Sequence, residues 1–124
     1  KAYDLRSGSM TQRVDGNLKS KDPSEVLLVS VDFQLFGLRS GESLTGTPSV
    51  IDSTGELTFS NISVNQTAFE NERKKSCPAG KGVQFLVSGG TAGTMYKMKV
   101  SCSTNGTPAQ TLVGHCPIEV RTTD

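Results

Sequence analysis

The chain has 124 residues, of which 34% are hydrophobic and none is tryptophan, so it has the material for one domain with a lean core. Its 13 basic and 12 acidic residues leave a formal net charge of +1, which disfavours nucleic acid and anionic membranes as partners held by an overall field. The longest apolar runs, such as residues 26–29, are too short to cross a bilayer, and the polar N-terminus predicts no signal peptide.

Residues 1–22 differ in composition from the rest of the chain. They include five basic and three acidic residues, and their apolar residues are too sparse to form a helical stripe. This segment is either a solvated tail or an arm that orders only against another subunit. The apolar anchors of such an arm would be Tyr3, Leu5, Met10, Val14 and Leu18. We therefore divide the chain into an extended N-terminal arm, residues 1–22, and a folded domain, residues 23–124.

From Pro23 onward the pattern is typical of β-strands. Residues 26–33 are apolar and β-branched, residues 44–51 form a weaker candidate strand, and residues 57–64 alternate between apolar and polar. A turn signal, Asp52-Ser53-Thr54-Gly55, separates the second and third of these strands.

The second half of the domain continues the same pattern. A charged loop leads to a strand over residues 82–88, and a glycine-rich corner leads to another strand that ends near Cys102. The dipeptide Asn105-Gly106 predicts a hairpin turn within residues 103–108, followed by a last strand over residues 112–120.

About seven short strands without a convincing helix predict an all-β fold, an antiparallel Ig-like β-sandwich. The predicted core consists of Val29, Val31, Phe33, Leu57, Phe59, Val83, Phe85, Val87, Tyr96, Met98, Val100, Leu112, Ile118 and Val120.

The three cysteines have long, unequal spacings that match neither a zinc site nor a disulfide framework. A hairpin turn centred on Asn105-Gly106 would place Cys102 opposite a residue near Ala109 and Cys116 opposite one near Met95. The two cysteines would then be about 23 Å apart, whereas a disulfide requires α-carbons within about 7 Å. We expect both to be buried thiols on the core face, which favours assembly in a reducing cytosol.

The stretch Gly89-Gly90-Thr91-Ala92-Gly93 raises the question of a phosphate-binding loop. Such a loop needs a helix after the glycines, whereas the residues that follow here alternate with a period of two. We therefore predict a corner between two sheets, with glycines at positive φ. Tyr96 stands where sandwich domains place a tyrosine corner, whose hydroxyl bonds to backbone upstream.

No residue pattern in the chain predicts catalysis, a cofactor or a metal ion. His115 is the only histidine and occupies a strand position opposite the core-facing residues. The acidic residues are scattered singly, unlike the ligands of a calcium loop. The basic run 73–75 follows Glu70 and Glu72 and is typical of a solvated loop. We therefore expect no catalytic, cofactor-binding or metal-binding residues.

Two elements resemble a family of small structural proteins of tailed bacteriophages, often labelled phage fibre or Ig-like virion proteins. They are Lys21-Asp22-Pro23-Ser24-Glu25, which leads into a strand, and SGGTAGTMY, residues 88–96, which precedes the penultimate strand. The resemblance covers roughly residues 21–121, and its most specific part is the glycine-tyrosine element. The chain departs from the family in having Phe33 and Phe36 where relatives often have tryptophan, in its cysteine-bearing last hairpin and in its extra N-terminal arm.

The resemblance implies a non-enzymatic virion protein that is assembled in the bacterial host cytoplasm. The arm favours a capsid decoration, or cement, protein whose partners are the major capsid protein and neighbouring copies of itself, with no nucleic acid and no membrane. The alternatives are a neck or tail-fibre component of the virion, and an Ig-like adhesion or carbohydrate-binding module.

Overall fold

The computed structural model describes residues 19–71 and 73–122, and these residues form a fold of strands with one short 3₁₀ helix, Phe33–Phe36. The strands are β1 (Lys19–Lys21), β2 (Leu27–Asp32), β3 (Leu44–Asp52), β4 (Leu57–Val64), β5 (Phe69–Glu70), β6 (Ser76–Cys77), β7 (Gly82–Gly89), β8 (Thr94–Thr104) and β9 (Thr111–Val120).

Seven of these strands form two sheets that pack face to face. One sheet has the order β1-β9-β8-β3 and the other has the order β2-β7-β4, while β5 and β6 make a separate two-stranded ribbon. Strands β1, β2, β3, β4, β7, β8 and β9 can be lettered A to G in chain order. One sheet then consists of strands B, E and D, and the other of strands C, F and G, with strand A added parallel to strand G. This is the arrangement of an Ig-type sandwich, and it confirms the predicted fold class.

The core between the sheets is formed by the predicted residues, because alternation along each strand directs every second side chain inward. Of the predicted set, Phe59 alone is partly rather than fully buried, and it packs edge-on against Phe85 with ring centroids 5.7 Å apart. The structure adds further buried apolar residues that the alternation did not identify as core, namely Phe36, Leu44 and Val50.

Strand β2 ends one residue earlier than predicted. The carboxylate of Asp32 accepts a hydrogen bond from the backbone N–H of Gln34 at 2.9 Å and so caps the 3₁₀ helix. Gly37 ends the helix at φ 103°. The helix turns Phe33 and Phe36 together into the core, with their ring centroids 5.5 Å apart.

Strand structure begins before Pro23, within the segment that the sequence assigned to the arm. Residues 19–21 form β1, which pairs in parallel with residues 118–120 of β9. The side chain of Lys21 is only 1% exposed, and its ammonium group donates to the backbone oxygen of Asp22 at 2.8 Å. The rest of the predicted arm, residues 1–18, lies outside the described residues.

The last hairpin turns further along the chain than predicted, with its loop at residues 105–110, so its predicted register was wrong by three residues. Asn105 is held away from a tight turn, because its side-chain oxygen accepts a hydrogen bond from the backbone N–H of Ser43 at 2.9 Å. As a result, Cys102 pairs with Leu112 and Cys116 pairs with Met98. Cys102 and Cys116 are then about 13 Å apart along the sheet, still too far for a disulfide with each other. Both are buried, as predicted, and burial raises the pKa of the Cys102 thiol.

The glycine-rich stretch is the corner predicted, since it carries the chain from β7 in one sheet to β8 in the other. Gly89, Gly90 and Gly93 all have positive φ, between 85° and 97°. The hydroxyl of Tyr96 accepts a hydrogen bond from the backbone N–H of Thr91 at 2.7 Å, which confirms the predicted tyrosine corner. The same hydroxyl donates to the carboxylate of Glu56, a partner that the sequence did not indicate.

Replacing Gly90 by alanine should destabilise the domain more than replacing Gly93. A Cβ at Gly90 would lie 2.8 Å from Val120 Cγ2 and 3.1 Å from Leu57 Cδ2, whereas a Cβ at Gly93 would meet nothing within 4 Å. Both variants bear the cost of a positive φ, about 1 kcal/mol, and Gly90→Ala adds about 2 kcal/mol of overpacking. Urea unfolding of the two variants measures the difference. Equal losses of stability would contradict the packing of the corner.

Strand β1 should contribute to stability despite its length. We expect a chain that starts at residue 22 to have a free energy of unfolding about 2 kcal/mol lower than a chain that starts at residue 19, because it lacks the hydrogen bonds between β1 and β9. One further bond lost is that from the backbone N–H of Arg121 to the oxygen of Lys21, at 2.9 Å. The same urea experiment compares the two truncations. Equal stability would show that β1 is not part of the folded unit.

Candidate functional site

The most highly connected polar group in the described residues is the carboxylate of Glu42, which is buried although it lies in a turn. It forms an ion pair with Arg39, whose Nη2 lies 2.8 Å from Oε2 and whose backbone N–H and Nε donate to Oε1 at 2.9 and 3.2 Å. The hydroxyl of Thr104 and the side-chain amide of Gln110 donate to it at 2.5 and 2.9 Å. Glu42 therefore ties the turn after the 3₁₀ helix to the loop of the last hairpin.

The surroundings of Glu42 suit a structural rather than a chemical role. Hydrogen bonds from Arg39, and then from Thr104, outweigh the effect of burial and hold the pKa of Glu42 far below its usual range. Gly106 lies directly over the pair, since a Cβ there would come within 2.3 Å of the carboxylate. Arg39 also donates to the backbone oxygen of Pro108 at 2.5 Å. A carboxylate whose pKa is held this low and whose oxygens are already satisfied is a poor general acid or base.

A second candidate lies on the outer face of the four-stranded sheet. Ile51 on β3 pairs with Lys99 on β8, and Lys99 pairs with His115 on β9, so the three residues form one row across the sheet. Together with Lys97, Asp52 and Ser53 they line a depression of about 280 Å³. We call this depression the β8 pocket. Ile51 at its edge is 54% exposed.

The carboxylate of Asp52 belongs to its own turn rather than to the lysines of the β8 pocket. It accepts hydrogen bonds from the backbone N–H groups of Thr54, Gly55 and Leu57 at 2.6, 2.7 and 3.0 Å. Burial of Asp52 disfavours its charged form, but a hydrogen bond from the hydroxyl of Thr54 at 2.6 Å, together with the backbone hydrogen bonds, outweighs the burial and lowers the pKa of Asp52. Lys97 and Lys99 form no ion pair with any residue in the described ranges.

The positions that the sequence raised as candidates are dispersed in the structure. His115 is half-buried on the outer face of β9, as its strand position predicted, and it lies beside Lys97 and Lys99 in the β8 pocket. The basic run 73–75 is an exposed loop between β5 and β6. The glycine stretch forms the corner described above. Within residues 19–71 and 73–122, no group of three or more His, Cys, Asp or Glu residues could hold a metal ion.

Sequence reasoning did not identify the β8 pocket, because strands β3, β8 and β9 contribute to it from distant parts of the chain. The alternation of Tyr96, Met98 and Val100 with Lys97 and Lys99 is a local pattern, and it places both lysines on the outer face of β8. That Ile51 and His115 lie beside them depends on the register, which the sequence did not provide. In the part of the chain that the structure describes, no helix is long and apolar enough to span a membrane.

Comparison with known proteins adds no family to this geometry. No protein-family model matches the chain, and neither the curated proteins nor the solved structures contain a match.

The charge of Glu42 should make the stability of the domain depend on pH in the acid range. Because the pKa of Glu42 is lowered by folding, its contribution is fully present above the ordinary carboxyl pKa of about 4.3 and is lost as the pH falls below that value. We expect Glu42→Gln to be clearly less stable than the unchanged protein at pH 7, and the difference to shrink by pH 3. Thermal unfolding at the two pH values measures it.

Glu70, an exposed residue of β5, provides the matched control. Glu70→Gln should stay within about 0.5 kcal/mol of the unchanged protein at pH 7. If the loss caused by Glu42→Gln were as large at pH 3 as at pH 7, the charge of Glu42 would not be what stabilises the two loops.

Proposed function

We propose that this chain is a non-enzymatic structural protein of a bacteriophage virion, and that it decorates the capsid and stabilises the shell of major capsid protein. The observation that carries the proposal is the attachment of the N-terminal segment to the sandwich. Strand β1 pairs with β9 through all three of its residues, and Lys21 is buried at its end. Residues 1–18 are therefore attached, through the hydrogen-bonded strand β1, to the sheet that carries the β8 pocket.

The sequence of residues 1–18 fits a segment that binds another subunit. It is polar and carries isolated apolar residues, so it has too little apolar surface to form a core of its own. A segment of this kind spreads contacts over neighbouring subunits, while the cost of ordering it offsets part of the gain. On an icosahedral shell the sandwich and the segment would bind together, and linkage between them raises the effective concentration of each.

The partners in this proposal are the major capsid protein and neighbouring copies of the same chain, and the location is the virion. The near-neutral composition agrees with a protein held by local contacts rather than by a long-range field. The glycine-tyrosine element that resembles Ig-like virion proteins forms the corner on which the sandwich is built.

The distribution of aromatic residues favours this proposal over a carbohydrate-binding module, which would be expected to expose aromatic rings on one face. The described aromatic side chains are buried or half-buried: Phe33, Phe36, Phe59, Phe69, Phe85 and Tyr96. Their position assigns them to packing.

Binding to shells tests the proposal directly. We expect the purified chain to co-sediment with capsids that lack it, at a copy number that scales with the number of shell subunits. A chain that starts at residue 19 should keep the sandwich but occupy fewer sites, because it lacks the N-terminal segment. Quantitative mass spectrometry of the pelleted particles measures both. A copy number fixed by a single neck or tail structure would contradict decoration, and full occupancy by the truncated chain would remove the role of residues 1–18.

A further inference from the structure

The β8 pocket and Met95 beside it combine exposed apolar side chains with two ammonium groups that form no ion pair within residues 19–71 and 73–122. Lys97 and Lys99 point to the outer face of β8, and Met95 precedes them on the same face and is 55% exposed. Ile51 extends the apolar surface to one side of Lys99, and His115 lies on the other side. The described residues thus place positive charge and apolar surface in one row along a strand.

We propose that the β8 pocket is a docking site for an acidic segment of the major capsid protein, in extended conformation, with carboxylates at alternate positions. This inference rests on the proposed function, because it names the surface through which the sandwich meets the shell. It commits to a protein segment as the occupant.

The spacing of the lysines supports an extended occupant. Residues two apart on a strand are about 6.7 Å apart, and an extended segment laid over the sheet presents its alternate side chains with the same spacing. A segment with the pattern apolar-x-acid-x-acid would therefore place its apolar side chain against Met95 and its two carboxylates against Lys97 and Lys99.

The charges around the pocket support an anionic occupant. Two acidic side chains on this side of the sheet already have partners. Asp52, which lines the pocket, bonds to its own turn, and Glu119, opposite Met95, lies 3.8 Å from Arg121 in an ion pair. The lysines are therefore available to an incoming carboxylate. The depression of about 280 Å³ between β3 and β9 has room for side chains of the occupant.

The outer face of the other sheet does not offer the same complementarity. Its exposed apolar residue Leu28 pairs with Leu86, and the neighbouring Ser30 and Gln84 are hydrogen-bonded to each other at 2.9 Å. These side chains are uncharged, so that face has no charge that would favour an acidic or a basic partner.

Charge reversal in the pocket provides the test. In co-sedimentation with capsids that lack the protein, the double variant Lys97→Glu/Lys99→Glu should bind about tenfold more weakly than the unchanged chain, because two attractions become repulsions. The matched control is Lys74→Glu/Lys75→Glu in the exposed loop between β5 and β6, which should bind within about twofold of the unchanged chain. Equal unfolding temperatures establish that both variants are folded. Unweakened binding by the pocket variant, or equal weakening by the control, would overturn the docking site.

A peptide titration separates this inference from the proposed function. Amide NMR shifts of the full chain are followed with the peptide acetyl-Leu-Ser-Glu-Ser-Glu-amide and with its Gln-for-Glu counterpart. Shifts centred on β8 with the acidic peptide alone would support the site, even if the unchanged chain failed to bind capsids and the decoration role had to be abandoned. The docking site would be overturned by the absence of shifts in β8, by equal shifts with both peptides, or by larger shifts with an oligothymidylate of ten nucleotides.

Discussion

The crossing from β7 to β8 is the constraint on which the rest of the sandwich depends. It must carry the chain from one sheet to the other within a few residues, and it does so next to the inner ends of Leu57 and Val120. Gly90 fits because it has no side chain, and Tyr96 then fills the space beside it. The hydroxyl of Tyr96 fixes the loop by accepting a hydrogen bond from the backbone N–H of Thr91. It also donates to Glu56 and so connects the loop to the turn between β3 and β4.

The opposite end of the sandwich is fixed by charge rather than by a buried aromatic ring. There the carboxylate of Glu42 joins Arg39 to Thr104 and Gln110, so two loops that are far apart in sequence hold each other. Both ends of the four-stranded sheet are thus held by hydrogen bonds between loops. A binding surface that is ordered before it meets a partner loses less conformational entropy on binding, and the docking site proposed on this sheet would benefit from that.

The regular parts of this fold could be predicted from the sequence, because alternation along a strand is a local property. The positions of Leu112, Ile118 and Val120 identify the core-facing side of β9 without reference to the neighbouring strands. Strand β1 could not be predicted, because three residues carry too little pattern and their pairing with β9 spans most of the chain. The predicted register of the last hairpin was wrong because Asn-Gly favours a tight turn locally, whereas Asn105 accepts a hydrogen bond from Ser43 on another loop.

The candidate site follows the same rule. That Lys97 and Lys99 share the outer face of β8 was visible in the alternation, while their meeting with Ile51 and His115 depends on pairing between strands. The two apolar residues beside the lysines were likewise not distinguished, because exposure of single apolar side chains is common and acquires meaning only with their neighbours.

The most direct test of this account is a cryo-electron microscopy map of assembled particles that contain the chain. The account predicts density for the sandwich at repeated positions over the whole shell, with the outer face of β3, β8 and β9 turned toward the capsid protein. Density confined to the neck or to a fibre, or a sandwich that meets the shell through the β2-β7-β4 sheet, would contradict it.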